Sequence, residues 1–149
     1  MAKPSVLFVC VHNAGRSQMA AGLAAHRAGG KVNVLSAGTA PDKKVSDVML
    51  ASLAEIGIDR SDQVPSLVTP QVLDQADVIV ALKPGLAINP PAGVTYQTWP
   101  LPDPTDWDID GIRPLRDRID GLAQELIDRL INDIEAPDRI VAERVGARP

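Results

Sequence analysis

The sequence predicts an α/β protein, an open parallel sheet of four strands with helices on both faces. Short runs rich in Val, Ile and Leu alternate with longer stretches of helical periodicity, the pattern of strand-helix-strand units whose strands run parallel. The first run, residues 5–11, is too continuously apolar for a half-exposed strand and reads as a central one. Cys10 and Asp103, the two residues best suited to chemistry, each lie just after a predicted strand, and open sheets bind ligands at the carboxyl ends of their strands.

Each further element has its own signal. A helix is predicted over residues 17–28, with Met19 and Leu23 on its inner face and Gly29-Gly30 as its stop. A second strand covers residues 32–37, and residues 41–44 form a connecting loop. The spacing of Val45, Val48, Met49, Leu53 and Ile56 predicts a second helix over residues 46–56, closed by Gly57. Thr69-Pro70 supplies an N-cap and a first position for a short third helix through Gln75. Residues 76–82 make the third strand and residues 96–99 the fourth. Leu115, Ile119, Leu122, Leu126 and Leu130 mark the inner face of a long amphipathic helix over residues 113–134. Residues 1–136 therefore form one domain, and the charged residues 137–149 a frayed tail.

At 149 residues the chain can bury a single core, and 45% hydrophobic with 23% charged residues is the composition of a soluble globular protein. A net charge of −4 without any basic run argues against a nucleic-acid partner. The N-terminal residues lead into a strand too short for a secretory signal, and no run is long enough to span a membrane. One cysteine suits a reducing compartment, so the expected location is cytoplasmic.

Cys10, the only cysteine, opens the run Cys10-Val11-His12-Asn13-Ala14-Gly15-Arg16-Ser17. Five residues between cysteine and arginine can coil a loop around one tetrahedral anion with backbone N–H groups turned inward. Val11, His12, Asn13, Ala14, Gly15, Arg16 and Ser17 are therefore the candidate oxyanion-binding residues. The helix beginning near Arg16 adds its positive end. Together with the Ser17 hydroxyl and the Arg16 guanidinium, these donors favour an ionised Cys10 at neutral pH. The planar fork of Arg16 can also hold two oxygens of a phosphate-like ion while the sulfur attacks its central atom. A lone cysteine after an apolar strand also fits a small buried hydrophobe. The strand-to-helix junction, the Gly15-Arg16-Ser17 entry and the downstream Leu101-Pro102-Asp103-Pro104 favour the nucleophile. His12 has no second ligand near it and suggests no metal site, and His26 falls on a helix surface. Asp106, Asp108 and Asp110 read as caps and solvated turn residues.

With these motifs in hand, the chain resembles the low-molecular-weight protein tyrosine phosphatase superfamily, which includes arsenate reductases of the same fold. The resemblance covers roughly residues 4–134 and rests on the loop Cys10 to Ser17, on Ser36-Ala37-Gly38-Thr39 and on Asp103-Pro104. It implies the strand order 2-1-3-4. Arg16-Ser17-Gln18-Met19-Ala20 is similar to the arsenate reductase branch, whereas phosphatases usually place proline after the serine. The aromatic wall common in phosphotyrosine pockets is missing from the sequence near Asp103, where Thr105, Asp106 and Trp107 stand and the single tyrosine, Tyr96, lies upstream.

The resemblance implies a catalytic domain in which Cys10 attacks arsenate held by the loop amides and Arg16, while Asp103 protonates the departing oxygen. An apolar setting beside Pro102, Pro104 and Trp107 is expected to keep Asp103 protonated. Asn13 is implied to tolerate a left-handed backbone and to tie the loop to the second strand through Ser36, with Ser17 as further support. Ala21 stands where some relatives have a glutamate of a potassium site, which puts that site in doubt. Thioredoxin-coupled relatives carry two more cysteines that relay a disulfide, and a chain with one cysteine has no such relay. The second thiol is then external: mycothiol with mycoredoxin, or glutathione with glutaredoxin, without a tightly bound cofactor. It attacks the cysteinyl-arsenate, arsenite leaves as a mixed disulfide forms, and the redoxin reduces that disulfide. Arginine outnumbers lysine and alanine is abundant, a compositional hint towards mycothiol.

Two other functions compete. The same cysteine, arginine and aspartate would hydrolyse a phosphate monoester if water replaced the thiol, and phosphate or sulfate would occupy the loop as arsenate analogues. A non-catalytic anion-binding or redox-sensing domain would need only Cys10, and the presence of Asp103 weighs against it.

Overall fold

Strand β1 (Ser5–Cys10) occupies an inner position of a four-stranded parallel sheet. The computed structural model describes residues 3–135. After β1 come helix α1 (Arg16–Ala28), strand β2 (Asn33–Gly38), helices α2 (Asp47–Ala54) and α3 (Pro70–Gln75), strands β3 (Val78–Ala81) and β4 (Thr95–Thr98), and helix α4 (Ile109–Glu135). The sheet order is β2-β1-β3-β4, as the resemblance implied. The frayed tail expected from residue 137 onward lies outside the described residues.

Alternation along β1 divides the protein in two. Val6, Phe8 and Cys10 point into the larger core, built with α1, α2 and α4, while Leu7 and Val9 meet Leu73 of α3 and Ile79 on the other face. Both faces are covered, but unequally: three helices pack on one, and the single short helix α3 with loop residues such as Leu86, Ile88 and Val94 on the other. Burial on both sides explains why β1 reads as a continuous apolar run. Phe8 and Trp99 stack at 5.5 Å between ring centroids, tilted by 52°, and tie β1 to the end of β4.

The helix boundaries have local causes. Ser46 caps α2 by accepting from the Met49 N–H, and Thr69 caps α3 by accepting from the Val72 N–H, with Pro70 at the first position. Gly29, at φ 54°, ends α1 in the left-handed region. Helix α4 begins four residues before the predicted start, because Asp108 accepts from the Gly111 N–H and nucleates a turn ahead of Pro114. Ile56, expected on the apolar face of α2, is instead 42% exposed, since that helix stops at Ala54 and Gly57 turns the chain away at φ 82°. Arg113 and Arg116 of α4 both pair with Glu55, just beyond α2, and fasten the two helices together. No helix among the described residues is long and apolar enough to cross a membrane.

Candidate active site

The loop between β1 and α1 is shaped by where its carbonyls go. Those of Cys10, Val11, His12 and Ala14 accept from the N–H groups of Thr39, Ala40, Asp42 and Ser46, and that of Gly15 from Met19. With the carbonyls engaged outward, the N–H groups of Ala14, Gly15 and Arg16 have no protein acceptor among the described residues and stand at a concavity whose donors suit an anion. Helix α1 adds to it: its N-cap, Gly15, offers no side chain and its first turn holds no acid.

Two glycines let the loop close. Gly38 pairs with Cys10 across the sheet, and a Cβ there would lie 2.4 Å from the Val11 carbonyl oxygen and 3.0 Å from Asn13. A Cβ on Gly15 would stand 3.3 Å from Met49 Cε and 3.8 Å from Pro104 Cγ, so its absence lets α2 and the Asp103 loop come down on either side.

Cys10 is 4% exposed, and its sulfur takes part in two hydrogen bonds. The Asn13 N–H donates to Sγ at 3.2 Å, and Ser17 Oγ lies 2.9 Å from Sγ. Asn13 has φ 51°, the left-handed conformation expected of it. Its Nδ2 donates to Ser17 Oγ at 2.7 Å, while its Oδ1 accepts from the Ser66 N–H at 2.9 Å and from Gln18 Nε2 at 3.2 Å. The tie from Asn13 therefore runs to Ser66 and not to the Ser36 side chain. Ser36 contributes its carbonyl, which accepts from Ser66 Oγ at 3.1 Å.

Arg16 is buried, and its Nη1 donates to the Leu101 carbonyl at 2.9 Å. That anchor holds the guanidinium against the segment leading to Asp103 and leaves Nε and Nη2 without acceptors among the described residues. Cys10, Arg16 and Asp103 line one cleft of about 320 Å³, together with His12, Asp42, Met49 and Trp107. His12 Nδ1 lies 3.4 Å from Asp42 Oδ1 on the cleft rim, and His26 is exposed on α1 as expected.

Asp103 does not sit in the apolar setting expected of it. It is exposed, and Thr105 donates to its Oδ1 from its hydroxyl at 2.6 Å and from its N–H at 3.0 Å. These bonds hold its carboxyl below the ordinary value of 3.8; slight burial opposes them, while the charges of Arg16 and His12 add to them. The flanking prolines shape the loop and desolvate the carboxylate only slightly. Asp106 turns it with φ 64°, and Trp107, whose N–H donates to the Pro104 carbonyl, joins the cleft wall, so the mouth is not free of aromatics as the sequence suggested.

Over residues 5–136 the sequence matches the family described as low molecular weight phosphotyrosine protein phosphatase. The chain belongs to this family. Among its relatives, the glutaredoxin arsenate reductase of a Synechocystis species is 33% identical over 84% of this chain and 97% of its own length. The thioredoxin-dependent arsenate reductase of Corynebacterium glutamicum superposes with a TM-score of 0.77 at 33% identity, covering 89% of this chain, which spans only 64% of that longer protein. An arginine phosphatase of Geobacillus stearothermophilus, 26% identical, superposes with a TM-score of 0.80 over 89% of this chain and 96% of its own. Family members thus include proteins named for reduction and for dephosphorylation.

Three residues escaped the sequence reading of this family site. Gln18, noted only as a branch marker, is a buried link between Asn13 and Arg60. Ser66 and Arg60 lie in loops with no periodicity or motif, and nothing in the sequence near them points to Cys10 some fifty residues earlier.

Proposed function

We propose that this protein is an arsenate reductase that uses Cys10 as nucleophile and takes its second thiol from outside the chain. The observation that carries the reading is the hydrogen bonding of the single sulfur, to which the Asn13 N–H donates and beside which Ser17 Oγ lies, at the floor of a cleft that also holds Arg16 and Asp103. The names of relatives at 33% identity support arsenate as the oxyanion.

Cys10 attacks arsenic, forming a sulfur–arsenic bond as one oxygen leaves as water. The loop amides and Arg16 hold the other oxygens and the charge that builds on them. Asp103 delivers the proton to the leaving oxygen. Its carboxylate is held in the ionised form in the free cleft, so both protons of the departing water arrive with dihydrogen arsenate, one of them passing through Asp103, whose proton affinity the bound anion's negative charge raises. An external thiolate then attacks the Cys10 sulfur, arsenic leaves as arsenite with the bonding pair, and a mixed disulfide remains. Two thiol sulfurs are oxidised as arsenic is reduced by two electrons. The 149 residues contain no second cysteine to replace the external thiol.

Mycothiol with mycoredoxin is our assignment for the thiol system, with glutathione and glutaredoxin the alternative, in a cytoplasmic enzyme. The test supplies mycothiol/mycoredoxin, glutathione/glutaredoxin and thioredoxin separately and measures arsenite. Arsenite is expected with a small-thiol system and not with thioredoxin alone, and Cys10→Ser abolishes it. Absence of arsenite with all three removes the reading. Phosphate-monoester hydrolysis is a second reading, favoured by Trp107 on the cleft wall and by the likeness to an arginine phosphatase. Strong hydrolysis of aryl phosphate without arsenite in any system selects it.

A further inference from the structure

Arg60, in the loop after α2, is a partly buried cation without an ion pair among the described residues. No carboxylate stands within salt-bridge distance of it among the described residues, and its buried Nε has no acceptor there. Burial pulls the guanidinium below the ordinary arginine value and the more distant Asp62 pulls it back, so it stays charged at neutral pH. Holding an unpaired cation in this way costs free energy. The fold nevertheless makes room for it, since a Cβ on Gly22 of α1 would lie 3.1 Å from Arg60 Cγ and 3.2 Å from Cδ.

The charge is directed along a row of side chains. Arg60 Nη2 donates to Gln18 Oε1 at 3.0 Å, and Gln18, 1% exposed, donates through Nε2 to Asn13 Oδ1. Asn13 Nδ2 donates to Ser17 Oγ, which lies beside Cys10 Sγ. Both amide orientations are fixed from outside, because a guanidinium and the backbone N–H of Ser66 can only donate. Ser17 Oγ accepts the Asn13 proton, and once Cys10 is a thiolate, which can only accept, the Ser17 hydroxyl proton goes to the sulfur. With the thiolate all four bonds point their protons towards Cys10, with a positive charge at the far end, and such a chain strengthens each successive donation.

We propose that Arg60 is a positioning residue for the nucleophile, acting through Gln18, Asn13 and Ser17 to hold a hydroxyl proton on Cys10 and favour the ionised sulfur. This rests on Cys10 being the nucleophile, whichever oxyanion it attacks. The other charged groups around the sulfur, Arg16, His12, Asp42 and Asp103, line the cleft and are unaltered in the variants below.

The test is the rate of Cys10 alkylation by iodoacetamide across pH in the full chain, with arsenate turnover and thermal unfolding measured in parallel. In Arg60→Met the rate near neutral pH is expected to fall about three- to tenfold, the worth of one hydrogen bond, with the same limiting rate at high pH as the parent. Arg60→Lys recovers most of the loss. Gln18→Glu keeps an acceptor for Arg60 but has no proton for Asn13, and it gives the same loss even if Arg60→Met does not fold. A pH profile that superposes on the parent overturns the proposal, as does an equal loss at every pH or an Arg60→Lys as impaired as Arg60→Met. Alkylation reads the sulfur directly, so a parent chain that makes no arsenite sinks the arsenate reading and leaves this one standing.

Discussion

The backbone N–H of Ser66 donates to Asn13 Oδ1 at 2.9 Å, joining residues 53 apart in the chain. That bond decides which end of the Asn13 amide faces Ser17, and so whether the Ser17 hydroxyl has a proton to offer the sulfur. Asn13→Asp replaces the donating amide by a second acceptor beside Ser17. A hydrogen bond to a charged group is worth about 1.5–3 kcal/mol, so turnover is expected to fall about tenfold to a hundredfold. Steady-state kinetics on purified protein, with circular dichroism to establish the fold, measures it; unaltered turnover removes the role given to this amide.

Asp103 and Thr105 give a prediction with a sign. Asp103→Asn removes the proton donor, and turnover is expected to drop by about 10² to 10⁴. Thr105→Val removes the hydroxyl bond that does most to hold the Asp103 carboxyl below its ordinary value. The carboxyl then keeps its proton to higher pH, so the alkaline decline in turnover begins at higher pH than in the parent. The pH–rate profile reads it, and a profile displaced to lower pH contradicts the assignment.

Gly38→Ala places a methyl group 2.4 Å from the Val11 carbonyl oxygen. No rotamer relieves a Cβ, so either β2 or the loop moves. A stability loss of about 1–3 kcal/mol is expected, seen as a lower denaturant midpoint and accompanied by weaker binding of inorganic phosphate. A midpoint equal to that of the parent shows the loop to be softer than its packing implies.

Glu55, bound by Arg113 and Arg116, has its carboxyl pulled from 4.5 down to about 2. Its folded-state value lies below its unfolded one. The stability it contributes is therefore fully present above about 4.5 and is lost as pH falls through about 2. Glu55→Gln is expected to flatten the dependence of unfolding free energy on pH across that window. Parallel curves for the two proteins would assign the acid sensitivity elsewhere.

The sequence by itself determined the order of elements, the central place of β1 and the nucleophile loop, because each depends on contacts close along the chain or on burial that composition records. The apolar run before Cys10, the cap Thr69 and the stripe of α4 are of this kind. Trp107 and Asp103 were legible as loop residues but not in their settings, since cleft wall and exposed carboxylate are facts about neighbours. Tertiary structure alone decided that Ser66, and not the Ser36 side chain, meets Asn13, and that Arg60 lies against Gly22 and ends on Gln18. These contacts are made by loops that carry no periodic signal, and their partners are fixed only when the helices pack and the backbone donors find their acceptors.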